Sequence, residues 1–422
     1  MRALDVYLHD NIVGQILETR KGGRFQYASE ISQHFLGLPV LSLALPAKTR
    51  PFGEARTSNW FNGLLPEGRR REEICKNLNI SPYDWIGLLA AIGWECAGAV
   101  KIRQQNDEPI PPAYYSTITT EELGRRLSDI SLHLTSAHNE RFRMSLGGFQ
   151  EKLCVAMPRL TDNPTVDPCG IVLPEGDAAS THILKPENEN DYPGSAESEA
   201  WAMTAARNAA RCSHVALLKL DNAPNTLVVE RFDRAGDCWP NAVTRLHQED
   251  VCQALGLDSA EKYADPRSPK GSDPTYAAIA HLLMLYAKNP FNELEELLRQ
   301  MVIDFALGNW DAHAKNTAFL YEEEMAPILA PLYDVVPISE VEPRTNCLSM
   351  RIDGHILPDE IRISSFVSEA CKWGLQEATA KTIIDDCLER IVDGMRIASE
   401  IYPTAGKKHE QPALKRIDKL AH

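Results

Sequence analysis

The stretch that most constrains this chain is an apolar helix that runs into a polar loop. Leu294, Leu297, Leu298, Met301, Val302 and Phe305 recur at spacings of 3, 1, 3, 1 and 3. That is one face of an amphipathic helix, and such a face needs other elements packed over it. The pattern stops at Leu307, and Gly308-Asn-Trp-Asp-Ala-His-Ala-Lys-Asn316 follows. Asp311 and Asn316 are five apart in this loop. Thr317–Tyr321 and Ile328–Leu332 then read as two strands joined by an acidic turn, and Asp334 comes 18 residues after Asn316. A hairpin of that length returns the chain to its start, so Asp334 is expected near Asn316.

The rest of the chain supplies a strand-rich part before this helical one. Leu4–Leu8 and Ile12–Thr19 read as strands around a turn at Asp10-Asn11. Ser81 with Pro82 reads as a helix start, and that helix is expected to end near Gly93. Residues 103–118 are polar and proline-bearing and read as a linker. Thr119 with Glu122 fits a capping box. Val155 and Ile183 fall on strands, a helix is expected over Glu197–Arg211, and Leu227–Glu230 is a strand. The last twenty residues read as a loosely held tail or a terminal helix. At roughly 150 residues per domain, 422 residues suggest two or three domains.

Charge and composition narrow the function. Subtracting 59 acidic from 44 basic side chains leaves −15, which disfavours general electrostatic binding to nucleic acid. No apolar run approaches the roughly 18 residues of a transmembrane helix, and no apolar signal core follows the start. The ten cysteines include no CxxC pair and read as reduced thiols of a cytoplasmic protein. No HExxH and no Cys/His cluster marks a zinc site. GxxxxGK[ST], GxGxxG and GxSxG are also absent, which argues against P-loop, Rossmann and hydrolase chemistry.

Asp311, Asn316 and Asp334 together fit phosphoryl transfer. One carboxylate orients an attacking hydroxyl, while an amide and a second carboxylate hold magnesium against phosphates. Ser145-Leu-Gly-Gly-Phe-Gln-Glu-Lys152 is a glycine-bearing turn before the strand Leu153–Met157. Small residues there let backbone N–H groups approach phosphates, although two glycines alone also suit a plain hairpin. Lys185 ends the strand His182-Ile-Leu-Lys. It is placed either to reach the α- and β-phosphates or to lie on an exposed edge. Glu197 and Glu199 begin the next helix, and spacing does not choose which of them pairs with Lys185. Glu230 to Phe232 would connect the two lobes.

With these residues in hand, the chain resembles the HipA family, the serine/threonine-kinase toxins of HipBA toxin–antitoxin modules. The resemblance runs over nearly the whole chain. It rests on Asn59-Trp-Phe-Asn-Gly-Leu-Leu-Pro-Glu-Gly68, Glu95-Cys-Ala-Gly-Ala-Val100, Ser145-x-x-Gly-x-Gln-x-Lys152, Thr181-His-Ile-Leu-Lys-Pro186, Val229-Glu-Arg-Phe-Asp-Arg234, Gln248-Glu-Asp-Val-Cys-Gln253, Asp311-x-His-x-Lys-Asn316 and Leu332-Tyr-Asp334.

It implies an α/β (α+β), two-lobed, protein-kinase-like fold with an added N-terminal subdomain and a mostly helical C-terminal lobe. The expected divisions are 1–115, 116–234 and 235–422. By resemblance, Asp311 is the catalytic aspartate, and Asn316 and Asp334 hold Mg2+. Gly147, Gly148, Gln150, Lys152, Lys185, Glu230 and Phe232 contact ATP, the last two at the adenine hinge. His313 and Lys315 touch phosphate or shape the loop, and Glu199 is the candidate partner of Lys185. Ser145 is the expected autophosphorylation site. A phosphate there adds about −1.5 to −2 charges beside the ATP phosphates and so opposes nucleotide binding.

The resemblance also implies a HipB-like dimeric antitoxin as partner, with operator DNA reached mainly through it. The implied substrate is a serine on a translation protein such as an aminoacyl-tRNA synthetase, whose phosphorylation arrests growth. A small-molecule kinase and a non-catalytic, antitoxin-binding co-repressor are the competing readings. Retention of all four of Lys185, Asp311, Asn316 and Asp334 weighs against the second of these.

Overall fold

The computed structural model describes all residues except 106, 108–109, 133–151, 162–163, 189–191, 237–242, 268–272, 324, 341–346 and 421–422. Alternating apolar residues build its first sheet. β1 (Ala3–Leu8), β2 (Asn11–Thr19), β3 (Gly22–Tyr27) and β4 (Val100–Gln104) lie in the order β3-β2-β1-β4. The β1–β2 turn has positive φ at His9 and Asp10, the backbone that a tight hairpin requires. Leu4, Val6, Ile16 and Phe25 are fully buried in the core of this unit.

The helices Glu54–Asn62 and Trp85–Ile92 pack against β3 and β4 respectively. The second of these starts at Asp84, not Ser81. The Asp84 carboxylate accepts the Gly87 amide at 2.9 Å, while Ser81 and Pro82 form the turn in front. Asp84 is also held by Arg2 at 2.8 Å, a long-range contact that Ser81 lacks.

The second group of strands is β5 (Tyr114–Thr117), β6 (Leu153–Val155), β7 (Val172–Glu175), β8 (His182–Pro186), β9 (Val215–Leu218) and β10 (Thr226–Glu230). Four of them form an antiparallel sheet, β6-β8-β10-β9, and β5 pairs with β7. The expected linker 103–118 therefore contains a strand, anchored by Tyr115 Oη donating to Ala179 O at 3.1 Å. The Thr119 hydroxyl caps the helix Thr120–Ser131.

The helix Ser195–Ala206 lies behind this sheet, buried on nearly every face. It ends before the expected Arg211. Beyond its end, the Asn208 amide donates to Arg390 O, and Arg211 turns to the buried Glu293.

The remaining chain is mostly helical. The helices Tyr276–Tyr286, Pro290–Leu307, Ile363–Lys372, Glu377–Ile401 and Pro403–Leu420 share one large core with Ser195–Ala206. Two short strands, β11 (Arg234–Ala235) and β12 (Thr244–Arg245), pair beside the lobe connection. A three-stranded sheet follows, with β13 (His247–Asp250) on β14 (Ala318–Glu323) and β14 on β15 (Ala326–Leu329).

The second hairpin strand stops earlier than expected because the chain leaves the sheet. Leu332 instead exchanges backbone hydrogen bonds with Arg211 and Ser213. The helix Pro403–Leu420 is packed onto this core, with His409 and Ala413 fully buried. Among the described residues, no helix is long and apolar enough to cross a membrane.

Candidate active site

The helix Pro290–Leu307 delivers the polar loop to one place. Its apolar face is buried, and Gly308 closes it with φ +76°. The Gly308 and Asn309 amides turn back onto the last helical carbonyls. Glycine is needed here because a side chain at that φ is strained, and a Cβ would meet Ser339 Oγ at 2.1 Å. The loop is then fixed from several sides. Ser349 Oγ donates to Trp310 O at 2.7 Å, Ala314 N to Lys262 O at 3.1 Å, and Asn316 Nδ2 to Asp311 O at 3.2 Å.

Asp311 sits at the head of this loop, half-buried. Tyr263 Oη donates to its Oδ1 at 2.9 Å. Burial together with the Asp311 charge raises the Tyr263 pKa, so the phenol stays a donor. The His313 ring packs edge-on against Tyr263 at 5.0 Å. Burial pushes the His313 pKa down to about 4, so its imidazole is neutral near pH 7.

Asp334 is brought back by the hairpin. Its φ is +59°, a left-handed conformation that aspartate tolerates better than most residues. Tyr333 Oη donates to Lys315 O at 2.8 Å, which ties the residue before Asp334 to the residue before Asn316. Lys185, on β8, donates to Asp334 Oδ1 at 2.5 Å and to Glu199 Oε1 at 2.8 Å. Burial alone would raise the Asp334 pKa. Lys185 outweighs it and holds the carboxylate at about 2. Burial would likewise discharge Lys185, but Asp334 and Glu199 raise its pKa instead. Glu197 faces elsewhere and caps the last helix, accepting the Thr404 amide at 3.0 Å.

Burial, followed by repulsion from Arg70 and Lys185, lowers the Lys152 pKa to about 7. For a hard divalent cation, the Asn316 amide oxygen and the ionised Asp334 are donors of the right kind. The donor set therefore fits magnesium.

The other expected residues divide. The Phe232 ring packs against Tyr333 at 5.2 Å, beside Asp334. The Glu230 carboxylate accepts the Leu160 amide at 3.1 Å, and the Glu230 amide donates to His214 O at 2.9 Å. Lys315 has partners of its own. Its ammonium meets Gly63 O at 3.0 Å, Asp250 Oδ2 at 3.1 Å and Glu67 Oε1 at 3.2 Å. Ser145, Gly147, Gly148 and Gln150 lie outside the described residues.

Sequence reasoning missed Tyr263, which no motif flanks. It also passed over Glu67 and Glu95. Their signal was present: each is a carboxylate inside a motif otherwise made of packing and turn residues.

A strand lobe and a helical lobe that meet at a lysine bridging two carboxylates define a protein-kinase-like fold. The chain belongs to the HipA family. The model of the HipA-like C-terminal domain matches residues 144–395, and that of the HipA N-terminal domain matches residues 4–103. Two relatives are similar over most of their length. Y4mE of Sinorhizobium fredii, provisionally named a kinase, is 31% identical over 421 residues, covering 95% of this chain and 94% of its own. The serine/threonine-protein kinase toxin HipA of Shewanella oneidensis is 28% identical over 375 residues, covering 85% of this chain and 80% of its own. A solved Shewanella oneidensis HipA, in complex with HipB and operator DNA, has the same fold. Its TM-score is 0.82 at 22% identity, with 99% of this chain and 97% of that one covered.

Proposed function

We propose that this chain is an ATP- and Mg2+-dependent serine/threonine-protein kinase and the toxin of a HipBA-type module. The observation that carries the reading is Lys185 held between Glu199 and Asp334, with Asp334 tied back to the Asp311–Asn316 loop. In this reading Asp311 accepts the proton of a serine hydroxyl. The hydroxyl oxygen bonds the γ-phosphorus, the bond to the β-phosphate oxygen breaks, and ADP leaves. Lys185 and Lys152 face the ATP phosphates. Asn316 and Asp334 hold Mg2+, which screens phosphate charge when bound.

The biological role is carried over from the family. The substrate class is a serine on a translation protein, with an aminoacyl-tRNA synthetase the first to try. The partner is a HipB-like dimer that brings operator DNA, and the compartment is the cytoplasm. Phosphate on Ser145 switches the kinase off. The divisions at 115/116 and 234/235 belong to the same proposal.

The test is incubation with radiolabelled ATP and Mg2+, with and without Asp311→Asn, followed by phosphosite and intact-mass spectrometry. Label that requires Asp311 supports the reading, as does a chain already carrying phosphate on Ser145. An unmodified chain that transfers no phosphate to protein overturns it.

A further inference from the structure

The loop bearing Asp311 is held from outside its own lobe. Glu67 belongs to the first unit, just before the helix Gly68–Leu78. Its carboxylate lies between two lysines of the helical lobe. Oε1 is 3.2 Å from Lys315 Nζ, and Oε2 accepts from Lys262 Nζ at 3.2 Å. All three side chains are largely buried, at 13%, 7% and 6% exposure. These lysines are not incidental. Lys315 immediately precedes Asn316. Lys262 immediately precedes Tyr263, whose hydroxyl holds Asp311, and Lys262 O accepts the Ala314 amide inside the loop. One carboxylate thus spans the two segments that set Asp311 and Asn316.

We infer that Glu67 is a positioning residue for the reaction proposed above, making the N-terminal unit part of the catalytic apparatus. The inference rests on the kinase reading. A buried carboxylate between two buried ammonium groups restrains their separation, because moving either one weakens an ion pair in a poorly solvated place. Lys315 keeps Asp250 and Gly63 O if Glu67 is lost, so its end of the clamp loosens without coming free. The Lys262 end loses this carboxylate outright. Neither change touches Lys185, so the expected effect falls on Asp311 and Asn316 and not on nucleotide affinity.

The test uses the full chain, radiolabelled ATP and a Mg2+ titration. It compares the unaltered protein with Glu67→Gln, Glu67→Asp and Glu72→Gln, the last exposed on the helix that follows. Glu67→Gln should lower kcat about 10²-fold, the effect of a misplacement of about 1 Å. It should also raise the Mg2+ concentration for half-maximal rate and leave the KM for ATP unchanged. Glu67→Asp keeps the charge but shortens the reach, so its rate and its Mg2+ midpoint should both fall between those of the unaltered protein and of Glu67→Gln. Glu72→Gln should match the unaltered protein.

Circular dichroism gives the folded fraction. Loss of folded protein lowers the rate in proportion and leaves the Mg2+ midpoint where it was. If Glu67→Gln does not fold, the midpoint of Glu67→Asp decides. An unshifted midpoint in the folded variant overturns the inference while the kinase reading stands. Absence of Asp311-dependent transfer in the unaltered protein overturns both.

Discussion

Lys185 carries two carboxylates at once, and its removal should be felt at both. With Lys185→Met, Asp334 loses the cation that holds its pKa at about 2 and is left with the burial that raises it. The expected result is a 10²- to 10³-fold loss of phosphate transfer at saturating MgATP, roughly the effect of deleting one preorganised electrostatic contact. Initial rates check it, and an unchanged rate would remove Lys185 from the reaction. A second residue acts through pH. Asp304 lines a small cavity of about 10 Å³ under the loop, with Asn309, Trp310 and Ser349. Burial raises its pKa from 3.8 to about 7, against the opposing hydrogen bond from Asn309. The folded state therefore binds a proton more tightly than the unfolded state. That contribution is full below pH 3.8 and is lost as pH rises through about 7. Asp304→Asn should remove this dependence, gaining on the order of 4 kcal/mol over the parent at pH 8 and nothing at pH 4. Thermal melts across that range check it. At this scale the sequence was informative about placement: it put Lys185 within reach of Glu197 or Glu199 and returned Asp334 toward the Asn316 loop, and the Glu199 contact and the Tyr333–Lys315 bond agree. It was silent on Tyr263 and Asp304, because nothing in their local spacing says that the fold will turn them toward Asp311 or Asn309.

Between residue and lobe stands the helix Pro290–Leu307, whose end points the loop. Gly308→Ala should destabilise by about 2 kcal/mol, from the left-handed φ and from crowding against Ser339 and Arg416. It should also lower the rate per folded molecule, since relief of the clash moves the loop. Leu298→Ala, in the buried face of the same helix, should lose about 2–5 kcal/mol yet keep the rate per folded molecule. Chemical denaturation with rates normalised to folded protein separates the two. Equal rate losses would show that the helix end has no special part. This helix was legible because one apolar stripe determines it. The helix Ser195–Ala206 was harder to bound, because it is buried all round and carries no stripe to mark its end. Strand β5 was read as linker because its polar residues pair with β7 at the edge of the fold, with little apolar alternation to announce a strand. The start at Asp84 was misjudged because Ser-Pro is a good local cap signal, and the partner that favours Asp84 is Arg2, 82 positions away.

Across the whole molecule, buried charge stitches the first unit to the rest. Glu95 meets Arg231 at 3.4 Å, Arg234 at 3.2 Å and Arg245 at 2.8 Å, while Asp233 accepts the Gly98 amide at 2.6 Å. Burial opposes ionisation of Glu95, but the three arginines outweigh it and hold the pKa at about 2. Glu95→Ala should cost about 3–5 kcal/mol, because it leaves buried guanidinium groups without their carboxylate. The loss should persist at high salt, since buried pairs are poorly screened. Denaturant unfolding at low and high salt checks this, and a loss that vanished with salt would mean a surface contact. None of this stitching could be read along the chain, since its partners lie more than a hundred positions apart and only the fold gives them a shared address. Glu249 likewise takes the Leu43 amide and the Trp60 indole, both from the first unit, at 2.9 Å, and the Tyr321 hydroxyl at 2.7 Å. The last helix has its own hold on the loop: Arg416 donates to Ala306 O at 3.2 Å and to Ser339 Oγ at 3.0 Å, at the very turn that Gly308 makes. Glu67 precedes the Gly308–Asn316 loop in the chain and Arg416 follows it, so a ribosome makes the loop between the two and must add 100 residues after Asn316 before the second hold on it exists.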